Sequence, residues 1–393
     1  MFYLGIDVAK TNHVAAILDN QGQQLGKFIN FTNSKEGYEK LISSISLFVS
    51  DFSELLVAME ATGHYWLALF SKLEEDNFNV SVFNPIQIKS FRESFTIRKK
   101  KNDKIDSLII AHYIRTFGPK TTSLETDDLL SLKQFTRFRS SLVNNTSSCK
   151  IKVIGLLDKV FPEYAKIFSN TFGQTSMQIL LNYNTPSDIL NLNTKKLSKI
   201  LSSASRGRFG TDKALKIKEI AKNSFGIKLM KDATSFEIKQ LVNQIIFIEQ
   251  QIAELDKEIQ ILYQKFNTHL MSIPGIGKTL APAILAEIGD IKKFATSNKL
   301  IAFAGCDPSE NQSGNSTSTN EKTSKRGSPH LRHALHTASL VAINNYAPFR
   351  IYYDKKRAEG KHHNVALAGI SRKLLNIIFS VLTEDRAFFK SKQ

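Results

Sequence analysis

Between Phe236 and Phe266 the chain places Ile238, Leu241, Ile245, Ile248, Ile252, Leu255, Ile259, Leu262 and Phe266 at alternating steps of three and four, without a break. Such spacing draws one apolar seam along a helix and predicts a coiled coil, since an isolated helix has nowhere to bury it. The seam must pack against an earlier helix of the same chain or against another subunit, and the chain offers a candidate. Leu132, Phe135, Leu142, Cys149, Leu156 and Val160 follow near-heptad spacing, interrupted by polar Asn145 and Thr146. The two seams define a helical region over residues 121–268, with parts of different character on either side. Within it, residues 161–235 hold Lys-rich helices and the loop SRGRFG, to which the sequence alone assigns no role.

Residues 1–120 read as a mixed α/β sheet. FYLGIDVA, HVAAILD, QQLGKFIN, LLVAME and NVSVFN have strand patterns, while 34–50 and 64–76 have helical spacing. Three strands, a helix, a strand, a helix and a last strand make a sheet with helices packed on it. Residues 269–393 open with HLMSIPGIGKTLAPAILAEIGD. GIGKT lacks the leading glycine of a phosphate-binding loop, because Ser272 stands there. Two helices joined by the turn Pro274–Gly277 fit better, resembling a helix-hairpin-helix. Gly275, Gly277 and Lys278 would then approach a DNA phosphate.

Charge narrows the partners. Lys and Arg number 53 against 36 Asp and Glu, a formal +17 that favours polyanions such as nucleic acid. Two cysteines far apart, Cys149 and Cys306, make a disulfide framework improbable and a reducing compartment the expectation. The N-terminus has no basic leader before a long apolar run, and no stretch approaches about 18 uninterrupted apolar residues. A cytoplasmic protein with no membrane partner is expected.

Four acids carry the strongest chemical signal. Asp7 lies at the centre of the first strand in GIDVAK, Glu60 ends the fourth in VAMEATGHYW, and Asp103 and Asp106 sit three apart at the start of a helix in KNDKIDS. Each has an ordinary reading: Asp103 and Asp106 favour a helix N-terminus, and Glu60 caps the next helix. Asp7 resists one, because an acid inside an apolar strand is costly unless paired or metal-bound. Together they suggest hard oxygen ligands for Mg²⁺ or Mn²⁺ and a two-metal phosphodiester site. His64, four residues after Glu60, is a candidate to orient it or to pack. The basic run Arg92, Arg98, Lys99, Lys100 and Lys101, just before the acidic pair, is expected to contact a nucleic-acid strand.

A polar stretch, NQSGNSTSTNEKTSKRGSPHLRHAL, interrupts the apolar C-terminal part. It reads either as a solvated linker or as a loop holding a nucleophilic serine, with Lys325, Arg326 and nearby Arg332 available to a phosphate. On composition alone Ser309, Ser313, Ser316 and Ser318 are equivalent. His330, His333 and His336 recur at helical spacing, but no cysteine or carboxylate completes a zinc set, so a solvated or DNA-facing stripe is the expectation.

GIDVAK, EATGHYW and KNDKIDS, followed by IPGIGKTLAPAILAEIGD, FAGCDPSENQSG and TSKRGSPHLRHAL, resemble the DEDD transposases of insertion sequences. Their N-terminal domain is RuvC-like, and their relatives are called bridge-RNA-guided recombinases. The resemblance covers both ends of the chain. It implies that the serine of QSG, here Ser313, is the nucleophile, and that Asp7, Glu60, Asp103 and Asp106 assist with a divalent metal. It also implies excision and insertion of a mobile element guided by an element-encoded RNA. The expected architecture is multidomain α/β plus α: an RNase H-like domain over 1–120, a helical coiled-coil region over 121–268 and a small helical transposase domain over 269–393. DNA, a guide RNA and further copies of the chain, as dimer or tetramer, are the expected partners. The alternative is a metal-dependent junction nuclease whose serine loop is inert.

Overall fold

The computed structural model describes all residues except 96–101, 121–124, 309–311, 314–315, 318–322 and 390–393. The basic residues Arg98, Lys99, Lys100 and Lys101 lie outside the described residues, as do Ser309 and Ser318. Two compact units form, Met1–Leu124 and Glu125–Gln393.

In the first unit the order is β1 (Phe2–Asp7), β2 (Asn12–Leu18), β3 (Gln24–Thr32), α1 (Lys35–Ser46), β4 (Leu55–Glu60), α2 (Trp66–Glu75), β5 (Asn79–Phe83), α3 (Pro85–Phe95) and α4 (Asp103–Phe117). The five strands lie in the order β3-β2-β1-β4-β5. β1 runs antiparallel to β2 and parallel to β4, which is parallel to β5. Strand alternation sends Leu4, Ile6, Val57 and Met59 into a core with Leu41 and Ile45 of α1 and Leu69, Phe70 and Leu73 of α2. Leu56 and Ala58 point the other way, into a smaller core with Ile109, Ile110 and Ile114 of α4.

The second unit comprises α5 (Asp127–Val160), α6 (Gln174–Asn182), α7 (Pro186–Asn191), α8 (Thr194–Ala204), α9 (Thr211–Lys222), α10 (Lys231–Gln264), α11 (Leu280–Ile288), α12 (Ser297–Phe303), the short strands β6 (Gln312–Ser313) and β7 (Ser316–Thr317), α13 (Pro329–Asn345), α14 (Ala347–Ala358) and α15 (His363–Glu384). The two seams do meet. α5 and α10, 34 residues each, pack antiparallel, with Lys265 bonded to Asp128, Arg139 to Asp256 and Lys150 to Glu249 along their length. Thr146 is buried in α5 yet bonded to Leu142 O, which removes the cost of its hydroxyl.

Burial along the seam is uneven. Ile238, Leu241 and Ile245 enter a core built with α6 to α9, and Ile259 and Leu262 enter a second core built with α11 to α15. Between them Ile248, Ile252 and Leu255 are half-buried, because only two helices meet there. α15 is long and apolar enough, by length and composition, to cross a membrane. Its Leu367, Ile370, Leu374, Leu375 and Ile378 instead fill the C-terminal core.

Candidate active site

Asp7 and Glu60 are the last residues of β1 and β4, two adjacent parallel strands. In open α/β sheets this carboxyl end is where ligands bind. By the two-residue strand period Asp7 shares the face of Gly5, and Glu60 that of Ala58, so both lie on the α4 side. The approach of α4 is set at Gly5. A Cβ there would stand 2.2 Å from Ser107 O and 2.3 Å from Ala111 N, so only glycine lets the helix backbone rest on the strand. Asn102 caps α4 by accepting from Ile105 N at 2.8 Å, which leaves Asp103 and Asp106 in the first turn at the same end as Asp7.

Electrostatics register the convergence. Burial, then the charges of Asp106, Asp103 and Glu60, push the Asp7 carboxyl up to about 7, and Arg92 partly opposes this. Arg92 of α3 binds Asp106 through Nη2 at 2.5 Å, with both side chains largely buried. The expectation that Arg92 joins a strand-binding run is therefore corrected: it is an internal counter-charge to the acids. Glu60 accepts from Thr62 Oγ1 at 3.0 Å. His64 instead stacks on Tyr65, with ring centroids 4.5 Å apart. Glu60 does not cap α2, whose N-cap is Tyr65 with no side-chain bond.

Among the described residues no three His, Cys, Asp or Glu side chains are closed up tightly enough to hold a metal ion as they stand. The donor chemistry nonetheless fits a hard divalent cation. All four groups are carboxylates, and burial first, then the charges of the other three acids, raise Asp7, with one guanidinium opposing.

In the second unit the polar stretch is a loop on a braced neck. Ser313 pairs with Ser316 across the two-residue strands β6 and β7, placing its backbone in a small hairpin. Below, Pro308 bridges to Thr323, Ser324 bonds Asp307 through both backbone and side chain, and Lys325 N donates to Gly305 O. A Cβ on Gly327 would meet Phe303 O at 1.8 Å, so the returning chain lies against the end of α12. Lys325 and Arg326 are exposed. Arg332 was expected at a phosphate. Its Nη1 instead donates to Gly327 O at 2.6 Å and Ala304 O at 3.3 Å, which makes it a brace of the neck.

Sequence reasoning passed over Glu287, the hub beneath this neck. It is buried in α11, where Arg137 of α5 donates Nε and Nη2 to its two oxygens at 2.6 and 3.0 Å and Ser328, the N-cap of α13, donates at 2.7 Å. Burial pushes the Glu287 carboxyl up, but these bonds and the charges of Arg137 and Lys133 outweigh it and hold it below the usual range. The available signal was an acid within LAPAILAEI, the same anomaly that singled out Asp7. A polar pocket beside the hub is lined by Arg137, Arg139, Thr279, His330 and His333.

The hairpin at Pro274–Gly277 departs from expectation. Only a single 3₁₀ turn, Leu270–Ser272, precedes it, and α11 follows as the sole full helix. Gly275, with φ of 88°, would drive a Cβ to 2.4 Å from Ala338 O, so its lack of a side chain serves packing against α13. Gly277 and Lys278 are exposed, at the uncapped start of α11.

Comparison with known proteins agrees with both ends of this description. A DEDD transposase model of the IS110 type matches residues 4–162, and a transposase model for the IS116/IS110/IS902 family matches residues 267–354. The chain is 25% identical to the pilin gene-inverting protein of Moraxella bovis over 389 residues, covering 99% of this chain and 98% of that one. It is 25% identical over 386 residues to the mini-circle putative transposase for IS117 of Streptomyces coelicolor, with 95% and 91% covered. With the transposase for insertion sequence element IS1111A of Coxiella burnetii it shares 22% over 392 residues, covering 98% and 90%.

Proposed function

The chain belongs to the IS110/IS116 family of transposases, and from that premise we propose that it excises and inserts a mobile element by serine attack on DNA, assisted by Asp7, Glu60, Asp103 and Asp106. Relatives are named a pilin gene-inverting protein and a putative transposase, and both inversion and transposition require DNA to be cut and rejoined. The observation that carries the acid site is the placement of Asp7 and Glu60 at the carboxyl ends of the adjacent parallel strands β1 and β4, with Asp103 and Asp106 in the first turn of the helix packed on them. The family implies a divalent metal, typically Mg²⁺. Held by these carboxylates, it would supply charge stabilisation for a phosphodiester displacement.

Ser313 has the right chemistry for the other half. Its Oγ forms a bond to phosphorus as one P–O bond to deoxyribose breaks. The hydroxyl proton leaves to a base, and the freed deoxyribose oxygen is protonated. The phosphoserine conserves the bond energy, so rejoining reverses the step with a new deoxyribose hydroxyl and needs no ATP. Exposed Lys325 and Arg326 at the foot of the loop support charge neutralisation on the phosphate. Guide RNA rests on the family resemblance and is compatible with the +17 charge. Assembly of several copies is supported by apolar side chains left exposed along the long helices: Phe138 and Ile151 on α5, and Phe247 and Ile261 on α10.

Incubation with element-junction DNA, guide RNA and Mg²⁺ tests the reading on denaturing gels. The parent chain should give a slower-migrating covalent adduct. Ser313→Ala should give none while still binding, and Asp7→Asn should give none while staying folded. An adduct that persists in Ser313→Ala, or maps to Ser309, Ser316 or Ser318, would remove Ser313 from the role. Cleavage with no adduct in any variant would favour the hydrolytic junction nuclease.

A further inference from the structure

Neither family match covers residues 163–266, and the proposed chemistry leaves the loop SRGRFG without a role. That loop, residues 205–210, borders a cavity of about 430 Å³ between the end of α8 and the start of α6. Arg206, Arg208, Phe209, Ser169, Asn170 and Thr175 are among its lining residues, and no Asp or Glu is. Arg206 and Arg208 are exposed, and among the described residues neither has an ion-pair partner. The surroundings reinforce this sign. Residues 161–235 contain twelve Lys and Arg against five Asp and Glu, a net +7 out of the chain's +17.

The loop backbone that carries the cations is also held in place. Arg206 and Gly207 take φ of 56° and 84°, turning the chain back after α8, and Ser205 Oγ accepts from Phe209 N at 2.8 Å to close the turn. Arg208 lies over the Phe209 ring at 5.4 Å, while Lys213 sits 5.3 Å from the centre of the Phe168 ring and 5.4 Å from that of Phe209. The aromatic pair thus orders positive charge at the cavity and offers its faces to cations. On the opposite wall α6 begins at Gly173 with no side-chain cap, adding backbone donors. The partial negative end of α8 opposes these terms but falls off within a turn.

We propose that this cavity takes a phosphate of a nucleic-acid backbone, so that the middle helices form a strand-anchoring site separate from the acids and the serine loop. A guanidinium pair without acids suits a phosphodiester, and the acid-free lining repels no polyanion. The proposal rests on the reading of the chain as a nucleic-acid enzyme, but its readout is binding.

Full-length protein is titrated with labelled single-stranded RNA, single-stranded DNA and duplex DNA of one sequence across a salt series. Arg206→Ala/Arg208→Ala is compared with Lys195→Ala/Lys196→Ala, which removes equal charge about 14 Å away at the far end of α8. Loss of two phosphate contacts should lower the slope of log affinity against log salt by roughly 1.4 on a single strand or 1.8 on a duplex. Affinity should fall about tenfold, whatever the sequence. The control pair should change far less, and the arm showing the larger loss identifies RNA or DNA as the occupant. Equal effects of the two double variants would reduce the site to bulk charge and overturn it. If the parent forms its serine adduct but the arginine variant binds as the parent does, this inference alone falls. A parent that binds no strand takes both readings down.

Discussion

Asp7 and Glu287 are both carboxylates set among apolar residues, yet their surroundings act in opposite directions. Around Asp7 burial is reinforced by three further acids, and the one guanidinium, Arg92, is bonded to Asp106. Around Glu287 burial is overcome by two bonds from Arg137 and one from Ser328. One region is left with surplus negative charge at a sheet end. In the other a buried carboxylate has both oxygens bonded, its guanidinium partner reaching it from a half-exposed position. The difference separates a cluster of acids, which the proposed function would use to hold a cation, from a joint that holds helices together, although in sequence each is only an acid where an aliphatic would be ordinary.

The strongest way to break the comparison is Glu287→Ala. It leaves the Ser328 and Arg137 donors without their acceptor and removes the tie between α5, α11 and α13, and because Arg137 is half-exposed and can turn to water we expect destabilisation of about 1–3 kcal/mol, read by denaturant unfolding. The pH dependence follows from the depressed carboxyl. Its stabilisation is complete above the unfolded value of 4.5 and is lost as pH falls through the lower native value. Parent and variant should therefore converge in acid. A variant as stable as the parent at pH 7 would show that the joint is dispensable.

Gly5→Ala comes next. The methyl meets the backbone of α4, which has no flexible end to yield, so overpacking should cost roughly 1–3 kcal/mol. Adduct formation should drop much further, by about 100-fold, because a shift of α4 displaces Asp103 and Asp106. Equal activity in Gly5→Ala would disconnect the α4 contact from the chemistry.

Asp7→Asn without divalent metal should move stability the other way, as a gain confined to high pH. A carboxyl raised to about 7 binds its proton more tightly when folded, so it favours folding in acid. That contribution is lost as pH rises from near 4 through 7. Asn carries no charge, so the variant should melt above the parent at pH 8 and lose that advantage by pH 5. Mg²⁺ should narrow the gap by raising the parent alone. A variant less stable than the parent at pH 8 would mean that Asp7 is not under repulsion.

Much of this was legible without coordinates, for reasons local to the chain. Short apolar and β-branched runs marked all five strands of the first unit, and Glu60 was legible as a strand end, whereas Asp7, read at the centre of the first strand, closes it instead. The seam in α10 announced its partner in α5 because a heptad stripe demands one. Periodicity could not pair Arg137 with Glu287, which stand 150 residues apart, nor take Arg332 from a phosphate to two carbonyls. Both pairings depend on where three helices cross.

What the sequence by itself determined is the set of elements and the positions of the charged groups along them, because strand and helix periods are properties of neighbouring residues. Tertiary structure alone decided which charges meet. Gly5 shows why: it is one small residue in a strand until a helix backbone comes to rest on it, and only that contact turns four separate acids into one field at Asp7.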